Sequence, residues 1–129
     1  MNMEEMIDKY FRPGRLPHIW CPGCGNGIVT GCIVKAVAKL DLPKDNVAVI
    51  SGIGCSSRAS GYLDFNTVHS AHGRALPVAT GVKLADPNLT VLVVTGDGDA
   101  TAIGGNHLIH AARRNIDMTV VCMNNQIYG

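Results

Sequence analysis

The feature that most constrains this chain is an acidic, glycine-rich turn that is followed, one helix later, by a pair of asparagines. The turn reads Gly96-Asp97-Gly98-Asp99 and follows an apolar, β-branched run over residues 89–95. The pair Asn124-Asn125 follows a second such run over residues 117–123. With a helical stretch between them, the two runs predict a parallel βαβ unit. Its strands end side by side, at the edge where such sheets bind ligands.

The side chains at the two strand ends suit a magnesium ion and a phosphate group. Asp97 and Asn125 can each provide a hard oxygen ligand to one Mg²⁺, whose other positions suit diphosphate oxygens and water. The backbone N–H groups of Gly98 and Asp99, at the start of the following helix, can donate to a phosphate. A dinucleotide-binding turn is the main alternative, and it is disfavoured because Thr101 stands where that fingerprint has glycine.

Taken together, Gly96-Asp97-Gly98, 25 intervening residues and Asn124-Asn125 resemble the diphosphate-binding motif of thiamine diphosphate enzymes. The resemblance implies that Asp97, Asn125 and the main-chain carbonyl of Ile127 hold Mg²⁺. It implies the fold of those enzymes, an α/β domain with a parallel sheet and flanking helices. It also adds Gly129 to the cofactor contacts.

Composition excludes several classes of function. The chain has 129 residues, with eleven basic and ten acidic side chains, so charge gives no case for binding nucleic acid or a membrane surface. The apolar runs are too short for a transmembrane helix, and residues 1–11 are too polar for a signal peptide. Five cysteines without a secretory signal make a disulfide framework unlikely and predict a cytoplasmic protein.

Periodicity predicts one domain over residues 1–129, with residues 1–25 as a lead-in and a cysteine-containing loop. Because the chain stops directly after a predicted central strand, we expect the domain to be incomplete at its C-terminus. The predicted elements are helices over residues 26–40, 77–85 and 100–114, a strand over 47–50 and a loop over 55–73. In the first helix, the expected apolar face consists of Ile28, Val29, Ile33, Val34, Val37 and Leu40.

The cysteines suggest a metal or cluster site. Cys21 and Cys24 frame a proline-glycine turn, and such a turn points both sulfurs the same way. A zinc site remains an alternative because His18, His69 and His72 are available. A thioredoxin-type pair is disfavoured because the motif does not follow a strand. Cys32 and Cys122 fall within a predicted helix and strand, so we expect both to be buried core thiols.

The segments Trp20-Cys21-Pro22-Gly23-Cys24-Gly25 and Gly52-Ile53-Gly54-Cys55-Ser56-Ser57 resemble the β subunits of 2-oxoacid:ferredoxin oxidoreductases. The resemblance covers essentially the whole chain. It implies that Cys21, Cys24 and Cys55 bind a [4Fe-4S] cluster, with a fourth cysteine beyond residue 129. It further implies that Ile53, Gly54, Cys55, Ser56 and His72 contact the thiamine cofactor. For His69 we expect no more than a hydrogen-bonded place in the loop.

Arg58, three residues after Cys55, is a candidate for pairing with the distal carboxylate of a dicarboxylic oxoacid. A solvated loop charge or an interface residue is the alternative. Together with the closeness of residues 51–85 to the 2-oxoglutarate branch, Arg58 favours 2-oxoglutarate as the substrate. The implied reaction is CoA-dependent oxidative decarboxylation to succinyl-CoA, with electrons passing through the cluster to ferredoxin.

Thiamine enzymes use a glutamate to activate their cofactor, and this chain has only Glu4 and Glu5, both in the lead-in. The resemblance implies that the activating glutamate comes from an α subunit, so we expect this chain alone to be inactive. Three alternatives stay open. They are pyruvate or a branched-chain oxoacid as substrate, a non-oxidative thiamine enzyme such as a decarboxylase or synthase, and a zinc-binding scaffold.

Overall fold

A computed structural model describes residues 2–127, and within them the chain forms a four-stranded parallel sheet in the order β2-β1-β3-β4. The strands are β1 (Val47–Ser51), β2 (Asn66–His69), β3 (Thr90–Gly96) and β4 (Thr119–Met123). Each neighbouring pair is parallel, so the carboxyl ends of all four strands open at one edge. The predicted α/β architecture with a parallel sheet is confirmed.

Helices flank the sheet on both faces. They are α1 (Met3–Tyr10), α2 (Asn26–Lys39), α3 (Ala59–Tyr62), α4 (Ala75–Ala85) and α5 (Gly105–Arg113). Helix α1 begins with a capping box, in which the side chains of Asn2 and Glu5 accept from each other's backbone N–H. Across residues 2–127, no helix combines the length and apolar character needed to cross a membrane.

Two hydrophobic cores follow from the period-two alternation of the strands. On one face, side chains from β1 and β3 pack with α2 and the lead-in; this core includes Val49, Val94, Val34, Val37, Tyr10 and Trp20. On the other face, the alternate side chains of the same strands pack against α4; this core includes Ile50, Val93, Leu76 and Ala79. Because both faces of the sheet are covered, β1 and β3 are almost entirely apolar.

The structure corrects the prediction of a loop over residues 55–73. That segment contains a 3₁₀ turn (Ser56–Arg58), helix α3 and the edge strand β2. Strand β2 reads Asn-Thr-Val-His and is mostly exposed, so it has no apolar alternation that would mark it as a strand. The other predicted strands and helices are present with ends displaced by up to two residues, except that α5 begins at Gly105, five residues later than predicted, after a π-helical turn over Gly98–Ile103.

Three expectations about burial were also wrong. Ile28 and Leu40 are 75 % and 68 % exposed, because they lie on the side of α2 that faces away from the sheet. Cys32 is exposed on that same side, so it is not a core thiol. Cys122 is also exposed, on the edge strand β4.

Candidate functional site at the carboxyl ends of the strands

The acidic turn and the asparagine pair lie side by side, as the βαβ prediction requires. Gly96 at the end of β3 pairs with Met123 at the end of β4, so Asp97 and Asn124 leave adjacent strands at the same level. Within the described residues, Oδ1 of Asp97 is buried and has no hydrogen-bond partner. A buried carboxylate oxygen of this kind requires a partner, and a hard cation such as Mg²⁺ fits it.

Asn125 links this turn to a distant loop. Its Oδ1 accepts from the backbone N–H of Ile127 at 3.2 Å, and its Nδ2 donates to the carbonyl oxygen of Cys24 at 3.1 Å. An amide oxygen has two lone pairs, so Oδ1 can accept this bond and still ligate a cation. Ile127 follows in the same turn, while Gly129 lies outside the described residues.

Asp99 is the best-connected polar side chain of the site. Its Oδ1 accepts from Nδ1 of His72 at 2.8 Å, from the N–H of Gly73 at 2.7 Å and from the N–H of Ile53 at 3.2 Å. Its Oδ2 accepts from Oγ1 of Thr95 at 2.6 Å. The carboxylate therefore joins the loops after β1 and β2 to the end of β3.

These bonds decide the ionisation of Asp99. Burial alone raises the pKa of a carboxyl group, but the hydrogen bonds from Thr95, Gly73, Ile53 and His72 together outweigh it and lower the pKa of Asp99. Asp99 is thus a fixed negative charge at neutral pH. The sequence predicted a contact from its backbone N–H and did not indicate this role for its side chain.

The backbone after Asp97 forms a wide π-helical turn (Gly98–Ile103) before α5 begins. Six of the predicted cofactor contacts line one small cavity of about 20 Å³ beside this turn. They are Ile53, Gly54, Ser56, His72, Gly98 and Asp99. We call this cavity the diphosphate pocket, because the predicted phosphate donors Gly98 and Asp99 line it together with Ile127, one of the predicted cation ligands.

A second and larger cleft, of about 630 Å³, adjoins the diphosphate pocket. Cys21, Cys24 and Cys55 all line it, so the structure brings the three predicted cluster ligands together. Cys21 and Cys55 are exposed and Cys24 is half-buried. We call this space the cysteine cleft.

The described residues that line the cysteine cleft include three cysteines and no histidine or carboxylate. Among residues 2–127, no three His, Cys, Asp or Glu side chains converge on a position for a single metal ion. A tetrahedral zinc site requires that convergence, whereas each cysteine of a [4Fe-4S] cluster binds a different iron. Two of the candidate histidines have other contacts, since the His18 ring packs at a tilt against Trp20 and His72 bonds to Asp99.

Arg58 lines the cysteine cleft and is exposed. Its guanidinium carbon lies 5.9 Å from the centre of the Tyr62 ring, a distance that allows a cation–π contact. The Tyr62 ring limits the positions of the Arg58 side chain but does not neutralise its positive charge. Arg58 is therefore placed where an anionic ligand in the cleft would meet it.

Sequence reasoning missed two residues of the cleft. The Nε1–H of Trp20 donates to the carbonyl oxygen of Cys55 at 2.6 Å, which ties the two cysteine-bearing loops together. Asn26 lines the cleft and is 2 % exposed, yet its side chain makes no hydrogen bond within residues 2–127. The positions of Trp20 directly before the cysteine pair and of Asn26 at the start of α2 were the available signals.

Cys122 lies near the acidic turn rather than in a core. Partial desolvation and the negative charges of Asp97 and Asp99 raise the pKa of its thiol. The thiol is therefore kept protonated, in contrast to the thiolates that a cluster requires.

The fold and the site define a class of protein: a parallel α/β domain with an acidic, glycine-rich turn and an asparagine pair at the carboxyl ends of adjacent strands. Over residues 52–129 the chain matches the family described as "Thiamine pyrophosphate enzyme, C-terminal TPP binding domain". The match covers more than half of the chain, and the protein belongs to this family of thiamine pyrophosphate enzymes.

Similar proteins carry more specific names. The chain is 60 % identical, over 94 % of its length, to "2-oxoglutarate synthase subunit KorB" of Methanothermobacter thermautotrophicus, of which it covers 42 %. It is 49 % identical, over 85 % of its length, to "2-oxoacid:ferredoxin oxidoreductase 2, subunit beta" of Aeropyrum pernix, of which it covers 36 %.

A solved structure with the same fold is the 2-oxoglutarate:ferredoxin oxidoreductase from Magnetococcus marinus with 2-oxoglutarate, coenzyme A and succinyl-CoA bound. It superimposes with a TM-score of 0.90 at 46 % identity and matches 95 % of this chain and 42 % of that one. The chain thus spans less than half the length of each of these relatives.

Proposed function

We propose that this chain is part of the β subunit of a 2-oxoacid:ferredoxin oxidoreductase, which converts 2-oxoglutarate and coenzyme A to succinyl-CoA. The observation that carries the proposal is that the diphosphate pocket and the cysteine cleft adjoin, with Gly54 and Ile127 lining both. A non-oxidative thiamine enzyme needs no cysteine-lined cleft beside its cofactor. An oxidative thiamine enzyme needs an electron acceptor close to its thiamine cofactor.

The residues around the two cavities suggest how the cofactors are held. Asp97, Asn125 and the carbonyl of Ile127 would bind Mg²⁺, which anchors the diphosphate. Cys21, Cys24 and Cys55 would bind a [4Fe-4S] cluster together with a cysteine from outside this chain segment. When bound, thiamine diphosphate supplies the carbon nucleophile for the 2-oxo group, and the cluster supplies the electron exit to ferredoxin.

The remaining residues of the site would hold its loops in place and orient the substrate. Asp99 fixes the loops that carry Ile53 and His72, so the walls of the diphosphate pocket keep their spacing. Gly52 leaves room for the carboxylate of Asp99, because a Cβ at this position would meet both of its oxygens. Arg58 would hold the distal carboxylate of the substrate, in agreement with the 2-oxoglutarate named in the relatives.

Partners follow from what the site lacks. The carboxylates at the diphosphate pocket, among residues 2–127, are Asp97 and Asp99, and neither is a glutamate. We therefore expect an α subunit to supply the activating glutamate, and ferredoxin to accept the electrons. We also propose a cytoplasmic location, because ligation of a cluster requires cysteines that are kept reduced. Residues 1–129 are proposed to form one thiamine-binding domain, with residues 1–25 as the lead-in.

The test is an assay of the full-length subunit, purified anaerobically with its neighbouring α subunit. Reduction of a viologen dye is measured with 2-oxoglutarate, pyruvate or branched-chain oxoacids, with and without CoA, Mg²⁺ and thiamine diphosphate. We expect CoA-dependent and thiamine-dependent reduction with 2-oxoglutarate. An intact, iron-loaded and cofactor-bound complex that reduces no dye with any oxoacid would contradict the proposal.

Substitution of Arg58 tests the substrate assignment. Arg58→Leu removes the guanidinium that would pair with the distal carboxylate, so the KM for 2-oxoglutarate should rise roughly 10- to 100-fold. The KM for pyruvate, which has no distal carboxylate, should change little, and Arg58→Lys should lie between. Arg113→Leu, on the exposed end of α5, is the control. An unchanged preference for 2-oxoglutarate in Arg58→Leu rules out this role.

A further inference from the structure

The side chain of Asn125 lines the cysteine cleft and is also a predicted ligand of the cation, and its amide is one rigid planar group. We propose that Asn125 is a positioning residue that couples occupancy of the diphosphate pocket to the geometry and electronic properties of the cysteine cleft. The inference rests on the proposed function. It goes further because it gives one predicted cation ligand a second role, that of positioning the loop that carries Cys24.

The two ends of the amide have different partners. Nδ2 donates to the carbonyl oxygen of Cys24 at 3.1 Å, across 101 residues of sequence. Oδ1 accepts from the N–H of Ile127 at 3.2 Å and is the predicted cation ligand. Since the amide is planar, a cation that draws Oδ1 toward itself also moves Nδ2. The carbonyl of Cys24, and with it the loop over residues 21–24, would follow that movement.

A second contact extends the connection to the third cysteine. Trp20 directly precedes this loop, and its Nε1–H donates to the carbonyl oxygen of Cys55 at 2.6 Å. The indole is packed between His18 and Tyr62, with ring centres 4.9 Å and 5.0 Å away, so it has little freedom to turn. A shift of the loop is therefore passed to the backbone of Cys55 rather than absorbed.

Coupling between two binding sites is reciprocal. If the bound cofactor changes the reduction equilibrium of the cluster by some factor, reduction of the cluster must change the affinity for the cofactor by the same factor. In this enzyme class the consequence is that an empty diphosphate pocket leaves the cluster at a different reduction potential from an occupied one. The amide of Asn125 connects the two sites directly, because it bonds to Ile127 at one end and to Cys24 at the other.

Asn125→Asp separates the two ends of the amide. The aspartate keeps an oxygen for the cation and for the N–H of Ile127, but it has no donor for the carbonyl of Cys24. Gln126→Glu is the matched control, because it adds the same charge to the same turn at an exposed side chain without a described hydrogen bond. Trp20→Phe is a second variant, outside the turn that carries Asn125, and it removes the bond to Cys55 while keeping an aromatic ring between His18 and Tyr62.

The experiment is an EPR-monitored redox titration of the cluster in the full-length αβ complex, with and without Mg²⁺-thiamine diphosphate. In the wild type we expect the cofactor to shift the midpoint potential of the cluster by about 59 mV. For a one-electron couple, this shift corresponds to a tenfold difference in cofactor affinity between the oxidised and the reduced cluster. Asn125→Asp and Trp20→Phe should each lose at least half of that shift, whereas Gln126→Glu should retain it. Cofactor binding by each variant is checked by calorimetry.

The outcomes separate the coupling from the proposed function. An equal shift in wild type and Asn125→Asp, or no shift in the wild type, would overturn the coupling while leaving the enzyme assignment intact. A complex that binds neither cofactor nor cluster would instead contradict the proposed function. A reduced shift in Asn125→Asp with cofactor still bound supports the inference, because a merely structural defect would lower binding as well.

Discussion

At the residue scale, the site depends most on the buried carboxylate of Asp99. It accepts four hydrogen bonds from three separate segments, so it holds the loops of the diphosphate pocket together. Asp99→Asn removes the charge and presents an N–H₂ group to some of these donors. We expect the free energy of unfolding at neutral pH to fall by about 2–3 kcal/mol. Urea unfolding of the full-length subunit, followed by circular dichroism, measures this change.

The pH dependence of that difference identifies its cause. Folding lowers the pKa of Asp99 from its ordinary value of 3.8, so its carboxylate stabilises the fold at pH values above 3.8. This contribution is lost as the pH falls through the lowered pKa of the folded state. The gap between wild type and Asp99→Asn should therefore be constant at neutral pH and shrink below about pH 4.

Asp45→Asn is the control for this measurement. Asp45 is exposed and its carboxylate makes no described hydrogen bond, so its substitution should change the free energy of unfolding by less than about 0.5 kcal/mol. If the gap between wild type and Asp99→Asn did not depend on pH down to about pH 3, the charge of Asp99 would not be its source.

At the scale of secondary structure, the π-helical turn after β3 fits into the site because Gly104 has no side chain. A Cβ on Gly104 would meet the carbonyl oxygens of Asp99 and Ala100 and the Cα of Gly73, which are backbone atoms that cannot rotate away. Gly104→Ala should therefore displace the turn from the loop that carries His72. We expect it to lower stability by about 1–3 kcal/mol and to weaken binding of Mg²⁺-thiamine diphosphate.

Gly105→Ala provides a comparison one residue further on. A Cβ on Gly105 meets no heavy atom within 4 Å, and Gly105 is the first residue of α5. This substitution should leave cofactor binding unchanged and stabilise the helix by about 0.5–1 kcal/mol. Both variants are compared by thermal unfolding and by calorimetric titration of the cofactor. Equal effects of the two substitutions would rule out the close approach at Gly104 as the cause.

Local sequence patterns predicted three of the four strands and the placement of the site residues at the strand ends. β1, β3 and β4 are short apolar runs followed by turn residues, so both their presence and the placement of Asp97 and Asn125 at adjacent ends could be predicted. The exposed edge strand β2 has no such pattern and was missed. The bond from Asn125 to Cys24 and the convergence of donors on Asp99 depend on tertiary packing, which spacing does not reveal.

The exposure of Ile28 and Cys32 has a related cause. Helical periodicity shows that a helix has an apolar side, but it does not show how wide the covered side is. In α2 the buried side chains are Asn26, Thr30, Ile33, Val34 and Val37, so two polar residues lie inside and two apolar ones outside. The residues of α2 that are buried are those that face the sheet, and helical periodicity alone does not identify them.

At the scale of the whole molecule, both glutamates of the chain lie in its N-terminal lead-in. Glu4 and Glu5 are the two glutamates of the sequence, and both lie in the first turn of α1. The carboxylate of Glu5 accepts from the N–H of Asn2 at 2.8 Å, so it caps its own helix. We therefore expect neither glutamate to activate the thiamine cofactor.

The double substitution Glu4→Gln and Glu5→Gln tests this expectation in the αβ complex. Glutamine at the position of Glu5 can still accept from the backbone N–H of Asn2, so the capping box and the fold should be preserved. We expect kcat for CoA-dependent dye reduction to stay within about twofold of the wild type, because the activating carboxylate is proposed to come from the partner. A fall of about 100-fold or more would place that carboxylate in this chain, since removal of a general acid–base group has effects of that size. The purified subunit without its partner should show no thiamine-dependent activity, whereas addition of the α subunit should restore it.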